Sequence, residues 1–179
     1  MRRHQVEFRS AGVSLSGTVT LPDGEGPWPG IVTVHGASGP LRDFRLFTHL
    51  ESLLVPAGVA LLRYDRRGSG ASGGDFMAAG FDVLADDALA GLDVLAAQPG
   101  VDAARIGMYG FSQGGWIAPE AAARSPKVAF LVLVGGCAVT PADQMAYAAA
   151  TLIREAGYAD DVVQRALAIR EAVDRAMRG

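Results

Sequence analysis

The chain has 179 residues, half of them hydrophobic, and a formal net charge of −3 at pH 7. The length fits one domain with a sizeable core, and the acidic balance gives no basic footprint for nucleic acid. The longest apolar run, residues 128–139, is too short to span a bilayer. The stretch Met1–Glu7 lacks the apolar region of a signal peptide. We therefore expect a cytoplasmic protein without a membrane or nucleic-acid partner.

The hydrophobic pattern predicts a hairpin followed by alternating strands and helices. The hairpin strands are expected near 5–13 and 15–22, with Gly12 at the turn. The later elements, in chain order, are strand 30–34, helix 44–55, strand 59–64, helix 81–97, strand 105–109, helix 115–124, strand 128–134 and two helices, over 145–153 and from about 160 onward. A hairpin leading into βαβ units indicates an α/β fold with a doubly wound, mostly parallel sheet.

The first predicted parallel strand ends in the loop His35-Gly36-Ala37-Ser38-Gly39-Pro40. Alone, this stretch is typical of an ordinary glycine-rich loop. If a catalytic serine follows downstream, the loop after this strand can supply a backbone N–H to an oxyanion, and Ala37 is the candidate donor. His35 precedes any such serine, whereas the usual order places the base last. We therefore interpret His35 as structural, orienting the loop by hydrogen bonding.

The next strand runs into a Gly/Ser-rich loop that begins with Tyr64-Asp65-Arg66-Arg67-Gly68. Asp65 resembles a triad acid, but a carboxylate at a loop entrance more often accepts backbone N–H bonds or pairs with an arginine. We expect Asp65 to brace this loop.

Ser112 lies in Gly110-Phe111-Ser112-Gln113-Gly114, between a predicted strand and a predicted helix. Strand, sharp turn, serine and helix is the context of a nucleophile elbow, in which a strained backbone projects the serine above the sheet edge. Side chains two residues to either side would collide with the strand or the helix, so Gly110 and Gly114 support the elbow. The helix start favours a developing negative charge, and the N–H of Gln113 is the other candidate oxyanion donor. The alternative is a glycine-rich turn with an idle serine.

Four stretches, residues 35–40, 64–72, 101–114 and 116–119, together resemble the α/β-hydrolase superfamily, and within it the bacterial esterase and serine-aminopeptidase-like (S9/S33-like) branch. The resemblance covers about residues 5 to 140. It implies an incomplete α/β-hydrolase core in which Ser112 attacks a small-molecule carboxylic ester, thioester or amide. Trp116 is expected to pack the elbow helix. Because dinucleotide, P-loop and His/Cys metal motifs are absent from the sequence, we expect neither cofactor nor metal.

The resemblance also implies a triad acid after the next strand and a histidine after the last one. The chain's three histidines, His4, His35 and His49, all precede Ser112. Asp143 follows the strand 128–134, where some relatives carry the acid, but the stretch from Thr140 to Asp143 fits a helix N-terminus better. The sequence therefore predicts a chain truncated before its triad acid and histidine, and nearly inactive alone.

We expect residues 1–140 to form the core and residues 141–179 to form a helical segment, the start of a cap. The last helix carries an apolar stripe, Val162, Ala166, Ile169 and Val173, with Asp161–Arg165 and Glu171–Arg175 as i,i+4 pairs. A non-catalytic α/β module that binds a partner, or a second copy, through this helix is the alternative function. The strand 128–134 is expected to be buried, and Cys137, the lone cysteine, follows it and is expected in the core.

Overall fold

The computed structural model describes residues 1–178, over which the chain forms six strands and five helices. They are β1 Arg2–Ser10, β2 Val13–Leu21, β3 Trp28–Val34, α1 Arg45–Leu54, β4 Ala60–Tyr64, α2 Phe81–Ala96, β5 Val101–Phe111, α3 Gly114–Arg124, β6 Leu131–Val134, α4 Pro141–Glu155 and α5 Asp160–Arg178. Every predicted strand and helix is present, although several ends differ from the prediction. The periodicity of hydrophobic residues therefore predicted the type and order of the elements more accurately than their first and last residues.

One difference in boundaries lies in the N-terminal hairpin. Ser10 pairs with Val13, so the turn contains only two residues, Ala11 and Gly12, with φ of 45° and 78°. Two consecutive positive φ values define the tight turn that matches the twist of a hairpin. β1 consequently ends before Gly12 and begins at Arg2, earlier than predicted.

The strands form one mixed sheet in the order β1-β2-β4-β3-β5-β6. β1, β2 and β4 are joined by antiparallel pairing, whereas β4, β3, β5 and β6 run parallel. One face of the sheet packs on α1 through Phe47, and the other packs on α2 and α3 through residues such as Leu92 and Ile117. The α/β, doubly wound, mostly parallel sheet is thus confirmed.

The chain reverses its direction of winding next to β3. It passes from β3 to β4 on one side and then returns to place β5 on the other side of β3. In open α/β sheets, ligands bind where the carboxyl ends of two such strands diverge. The loop beginning at His35 follows β3 and Ser112 follows β5, so this position brings the two sequence motifs together.

β6 is an edge strand, paired only with β5 among the described residues. Val132, Leu133 and Val134 are 40%, 45% and 39% exposed. The interpretation of this run as buried was wrong, because periodicity does not distinguish an interior strand from an apolar edge strand. Cys137, just beyond β6, is half-buried rather than in the core.

The chain forms two compact units, Met1–Gly136 with the sheet and a second unit from Cys137 to the C-terminus. In the second unit, the Thr140 hydroxyl caps α4 by accepting from the Asp143 N–H at 3.2 Å. The predicted Arg165–Asp161 and Arg175–Glu171 pairs both form, at 2.6 Å. That this unit begins a cap stays a prediction. None of the described helices is long and apolar enough to cross a membrane.

Candidate active site

Ser112 lies in the turn between β5 and α3, in a backbone conformation that residues other than glycine rarely adopt. Its φ is 51°, and Ala11 is the other non-glycine residue described with a positive φ. The turn is held from both sides, because the Ser112 N–H donates to the Val134 carbonyl at 2.9 Å and the Ser112 carbonyl accepts from the Gly115 N–H at 2.7 Å. The hydrogen bonds therefore maintain a locally strained serine that is exposed to solvent.

The glycines on either side of Ser112 occupy positions where a side chain does not fit. A Cβ added to Gly110 would lie 2.3 Å from the carbonyl oxygen of Gly114. A Cβ added to Gly114 would lie 2.5 Å from the carbonyl oxygen of Val34. Both distances are well below a normal carbon–oxygen contact, so the strand and helix approach closely because these residues are glycine.

The loop after β3 borders this turn. A Cβ added to Gly36 would lie 3.3 Å from the Cβ of Ser112 and 3.1 Å from the Phe111 ring. Ala37 follows directly and is exposed. On the other side, Gln113 is the N-cap residue of α3, where N–H groups have no acceptor within the helix. The fold thus brings the segments of all the predicted site residues to one edge of the sheet.

Arg66 joins the loop after β3 (the β3 loop) to the loop after β4 (the β4 loop). The sequence analysis did not identify this role of Arg66. Its Nη1 donates to the carbonyls of Gly36 at 2.8 Å and Ala37 at 3.0 Å. Its guanidinium lies 3.5 Å from the ring centroid of Phe76. The available signal was the position of this arginine two residues after the end of β4, at the sheet edge that carries Ser112.

Asp65 braces the β4 loop, which confirms the interpretation from sequence. Its Oδ1 accepts from the Arg42 backbone N–H at 2.8 Å, and its Oδ2 accepts from Arg42 Nη2 at 2.6 Å and from the Ala71 N–H at 3.0 Å. Burial acts to raise the pKa of Asp65, but these hydrogen bonds outweigh it and hold the pKa below its ordinary value. The Asp65 carboxylate therefore holds the loop after β4 through Ala71 and joins it to the loop after β3 through Arg42.

The chain's three histidines occupy positions unsuited to a general base for Ser112. His35 is buried, and its ring packs edge-on against Phe47 and Tyr64. Burial and the charge of Arg66 lower its pKa to about 3, which makes it a weak proton acceptor. His4 on β1 bonds to Gln98 at 2.8 Å, and His49 is exposed on α1.

Trp116 packs the elbow helix, as expected. Its ring stacks on Phe81 of α2 at 6.3 Å between centroids, with an interplanar angle of 17°. The stacking joins α3, which follows Ser112, to the neighbouring helix on the same face of the sheet.

A serine with a strained backbone at the switch point of a doubly wound sheet, beside the loop of the neighbouring strand, is the arrangement found in folds of the α/β-hydrolase type. The comparison with known families agrees, and it is more specific. The chain belongs to the X-Pro dipeptidyl-peptidase (S15) family, whose model matches residues 11–176. The predicted superfamily is therefore confirmed, and the matching family within it is S15.

Individual relatives are esterases and hydrolases. Esterase EstD of Thermotoga maritima is 31% identical over 117 residues, which cover 62% of this chain and 28% of that protein. Esterase FrsA of an Enterobacter species is 29% identical over 115 residues, covering 64% and 27%. The crystal structure of the α/β-hydrolase GrgF from a Penicillium species superposes with a TM-score of 0.69 at 23% identity, covering 88% of this chain and 56% of that one.

The chain therefore spans less than a third of each of these two esterases and about half of that solved structure. The residues that match the S15 family model, 11–176, include β3, β5 and the turn that carries Ser112.

Proposed function

We propose that Ser112 is the nucleophile of a serine hydrolase and that the backbone N–H groups of Ala37 and Gln113 donate to the oxyanion. The observation that carries the proposal is the positive φ of Ser112, 51°, held between two glycines whose Cβ positions are occupied by backbone atoms. Strain of this kind persists only where the surrounding structure imposes it, and it is concentrated at functional sites. A serine without a catalytic role would carry the cost of this strain with no functional benefit.

In the proposed reaction, the Ser112 oxygen attacks the carbonyl carbon of the substrate and its proton passes to a general base. The resulting oxyanion accepts hydrogen bonds from the N–H groups of Ala37 and Gln113. The tetrahedral intermediate then collapses, the leaving group departs with a proton from the base, and an acyl-serine remains. Water, deprotonated by the same base, releases the acid and restores the serine.

The substrates that we propose are small molecules with a carboxylic ester, thioester or amide bond. The two curated relatives are named esterases, which supports an ester. The family description names an X-Pro dipeptidyl-peptidase, which supports an amide. Both bonds pass through the same tetrahedral intermediate, so the geometry around Ser112 suits either one.

We further propose that these 179 residues alone hydrolyse slowly, because none of their histidines is placed to serve Ser112. Removing the triad histidine from a serine hydrolase lowers kcat on the order of 10⁴- to 10⁶-fold, while the oxyanion donors retain some rate over water. Small imidazole in solution can accept the proton instead. Acylation of Ser112 should therefore be slow but stimulated by imidazole.

The test is to incubate the chain with p-nitrophenyl acetate, with and without imidazole, and to map acetylated serines by mass spectrometry. We expect acetylation of Ser112 that imidazole accelerates and that Ser112→Ala abolishes. Ser52→Ala is the matched control, because Ser52 is exposed on α1 and its hydroxyl bonds only locally, to the His49 carbonyl at 2.7 Å. Equal labelling of Ser112 and Ser52 under both conditions would reject the nucleophile.

A second proposal has a separate basis in α5. Ile169 and Val173 are 67% and 50% exposed, and Val162 and Ala166 on the same stripe are half-buried. An exposed apolar stripe on an amphipathic helix is typical of a surface that binds a partner or a second copy. Sedimentation equilibrium of the chain and of Ile169→Glu tests self-association, and identical monomeric behaviour of both would reject it.

A further inference from the structure

Arg66 contacts the backbone next to Ser112 at two consecutive peptide groups. Nη1 donates to the carbonyl oxygens of both Gly36 and Ala37, at 2.8 and 3.0 Å. The backbone N–H of Arg66 donates to the Pro40 carbonyl at 2.8 Å, at the other end of the same loop. One residue of the β4 loop therefore holds the β3 loop at three carbonyls.

These contacts determine the direction of the candidate oxyanion donor. In a trans peptide group the C=O of one residue and the N–H of the next point in opposite directions. The Gly36 carbonyl points to Arg66, so the Ala37 N–H points away from it. Likewise, the Ala37 carbonyl points to Arg66 and the Ser38 N–H points away.

The guanidinium is itself immobilised. It lies on the Phe76 ring, and the residue is buried. The preceding residue, Asp65, accepts hydrogen bonds from Arg42 and Ala71. A planar, stacked, multiply bonded cation on a braced loop holds its acceptors in a defined direction.

Two buried polar atoms of this cluster have no hydrogen-bond partner among the described protein residues, Nε of Arg66 and Nε2 of His35. The ring of His35 already bonds to the Tyr64 backbone. Both side chains line one small cavity of about 10 Å³, together with Val34, Tyr64, Leu84 and Ile117. That volume holds about one water molecule.

The two atoms are complementary toward a water molecule. Nε of arginine is a donor, and the second nitrogen of a neutral histidine is an acceptor. A water can accept from the first and donate to the second, which satisfies both. Leaving either buried group without a hydrogen-bond partner would destabilise the folded state.

We propose that Arg66 is a positioning residue that sets the direction of the Ala37 N–H, and that one buried water joins its Nε to Nε2 of His35. The catalytic role of the Ala37 N–H direction rests on the proposed function. The hydrogen bonds from Arg66 to the loop after β3, which we call the clamp, and the buried water do not depend on that function. The test therefore uses readouts that require no activity. A failure here is thus distinguishable from a failure of Ser112 to acylate.

The first readout is the ¹⁵N order parameter of the loop amides, measured for the chain and for Arg66→Met. In the unchanged chain, Ala37 and Ser38 should show values near those of rigid backbone, about 0.85, and in Arg66→Met they should fall below about 0.6. Amides of β3 and α3 should not change. A general loss of stability would not produce this local pattern.

Arg66→Lys is the conservative variant, and it also covers the case in which Arg66→Met does not fold. One ammonium cannot reproduce the fork, so the loop order should fall partway. Arg105→Met is the matched control, because Arg105 Nη2 likewise donates to a loop carbonyl, that of Pro27, at 3.0 Å. It should leave Ala37 and Ser38 unchanged. Rigid loop amides in both Arg66 variants would overturn the clamp.

The second readout is the ¹⁵N resonance of His35 Nε2. Accepting a hydrogen bond from water shifts this resonance upfield from the position of a free ring nitrogen, and the water should give a nuclear Overhauser contact to the ring. In Arg66→Met, the resonance should move downfield because the water loses the Nε–H group that donates to it. A free-nitrogen resonance in the unchanged chain would overturn the water.

Discussion

His35 should make the folding stability of this protein depend on pH between pH 7 and pH 4. Burial, with a further contribution from the charge of Arg66, lowers its pKa in the folded state to about 3. In the unfolded chain the pKa is about 6.5. Between these values the unfolded state binds nearly one more proton than the folded state. Stability is therefore fully present above about pH 6.5 and is lost as the pH falls toward 3.

The size of this effect follows from the two pKa values. Each pH unit within the window changes the free energy of unfolding by about 1.4 kcal/mol for one proton. Between pH 7 and pH 4 the loss from His35 alone is about 3 kcal/mol. Whole domains are stable by only about 5–15 kcal/mol, so this single ring should dominate the onset of acid unfolding.

Urea unfolding at pH 4, 5, 6 and 7 measures the effect, with His35→Gln as the perturbation. Glutamine does not titrate, and its amide can still donate to the Tyr64 carbonyl. The variant should be less stable at pH 7 but should lose about 3 kcal/mol less than the unchanged chain on going to pH 4. His49→Gln, at an exposed histidine on α1, should keep the original slope.

One result would refute the reasoning, namely the same pH slope in His35→Gln as in the unchanged chain. Asp65 cannot mask the comparison. Its pKa lies below the ordinary 3.8, so its hydrogen bonds are lost only at lower pH and equally in both proteins. A persistent slope would mean that His35 is protonated without cost in the folded state.

Three further predictions concern stability and association. Gly110→Ala should lower the free energy of unfolding, measured in urea, by more than about 3 kcal/mol, because its Cβ would lie 2.3 Å from a backbone atom. Gly58→Ala, with φ of 89° but no atom within 4 Å, should lower it by about 1–2 kcal/mol. Equal losses in the two variants would contradict the steric argument. Arg67→Met should lower the free energy of unfolding by about 3–5 kcal/mol, because it leaves the buried carboxylate of Asp87 unpaired. A loss under about 1 kcal/mol is typical of an exposed ion pair and would contradict this reasoning. Leu133→Lys should reduce concentration-dependent association in light scattering, because a lysine on an edge strand opposes pairing with another strand. Leu53→Lys, at an exposed position on α1, should not reduce it.

The strained turn at Ser112 was predictable because its determinants are local. Gly110, Ser112 and Gly114 lie within five residues, and both glycines occupy positions where a side chain would meet backbone atoms. The strand before them and the helix after them follow from hydrophobic periodicity. Local sequence therefore carried both the position of the serine and the type of each element.

The contacts of Arg66 could not be predicted in the same way. Gly36 and Ala37 are 30 and 29 residues away from it in the chain, and the pairing exists only because β3 and β4 are neighbours in the sheet. The exposure of Leu133 also depends on strand order. Neither the partner of a charged loop residue nor the edge of a sheet is encoded in a short window of sequence.

The proposed role of Ser112 and the exposed edge of β6 share one geometric consequence. β5 and β6 run parallel, and Phe111, next to Ser112, pairs with Val134 at the end of β6. A further strand added in parallel to the open edge of β6 would end on the same side, and the loop after it would lie toward Ser112. Under the proposed function, a base on such a loop is the group that imidazole would replace, and Leu133→Lys would oppose pairing of a strand with β6. The two experiments therefore probe the same edge of the sheet, one through chemistry and the other through association.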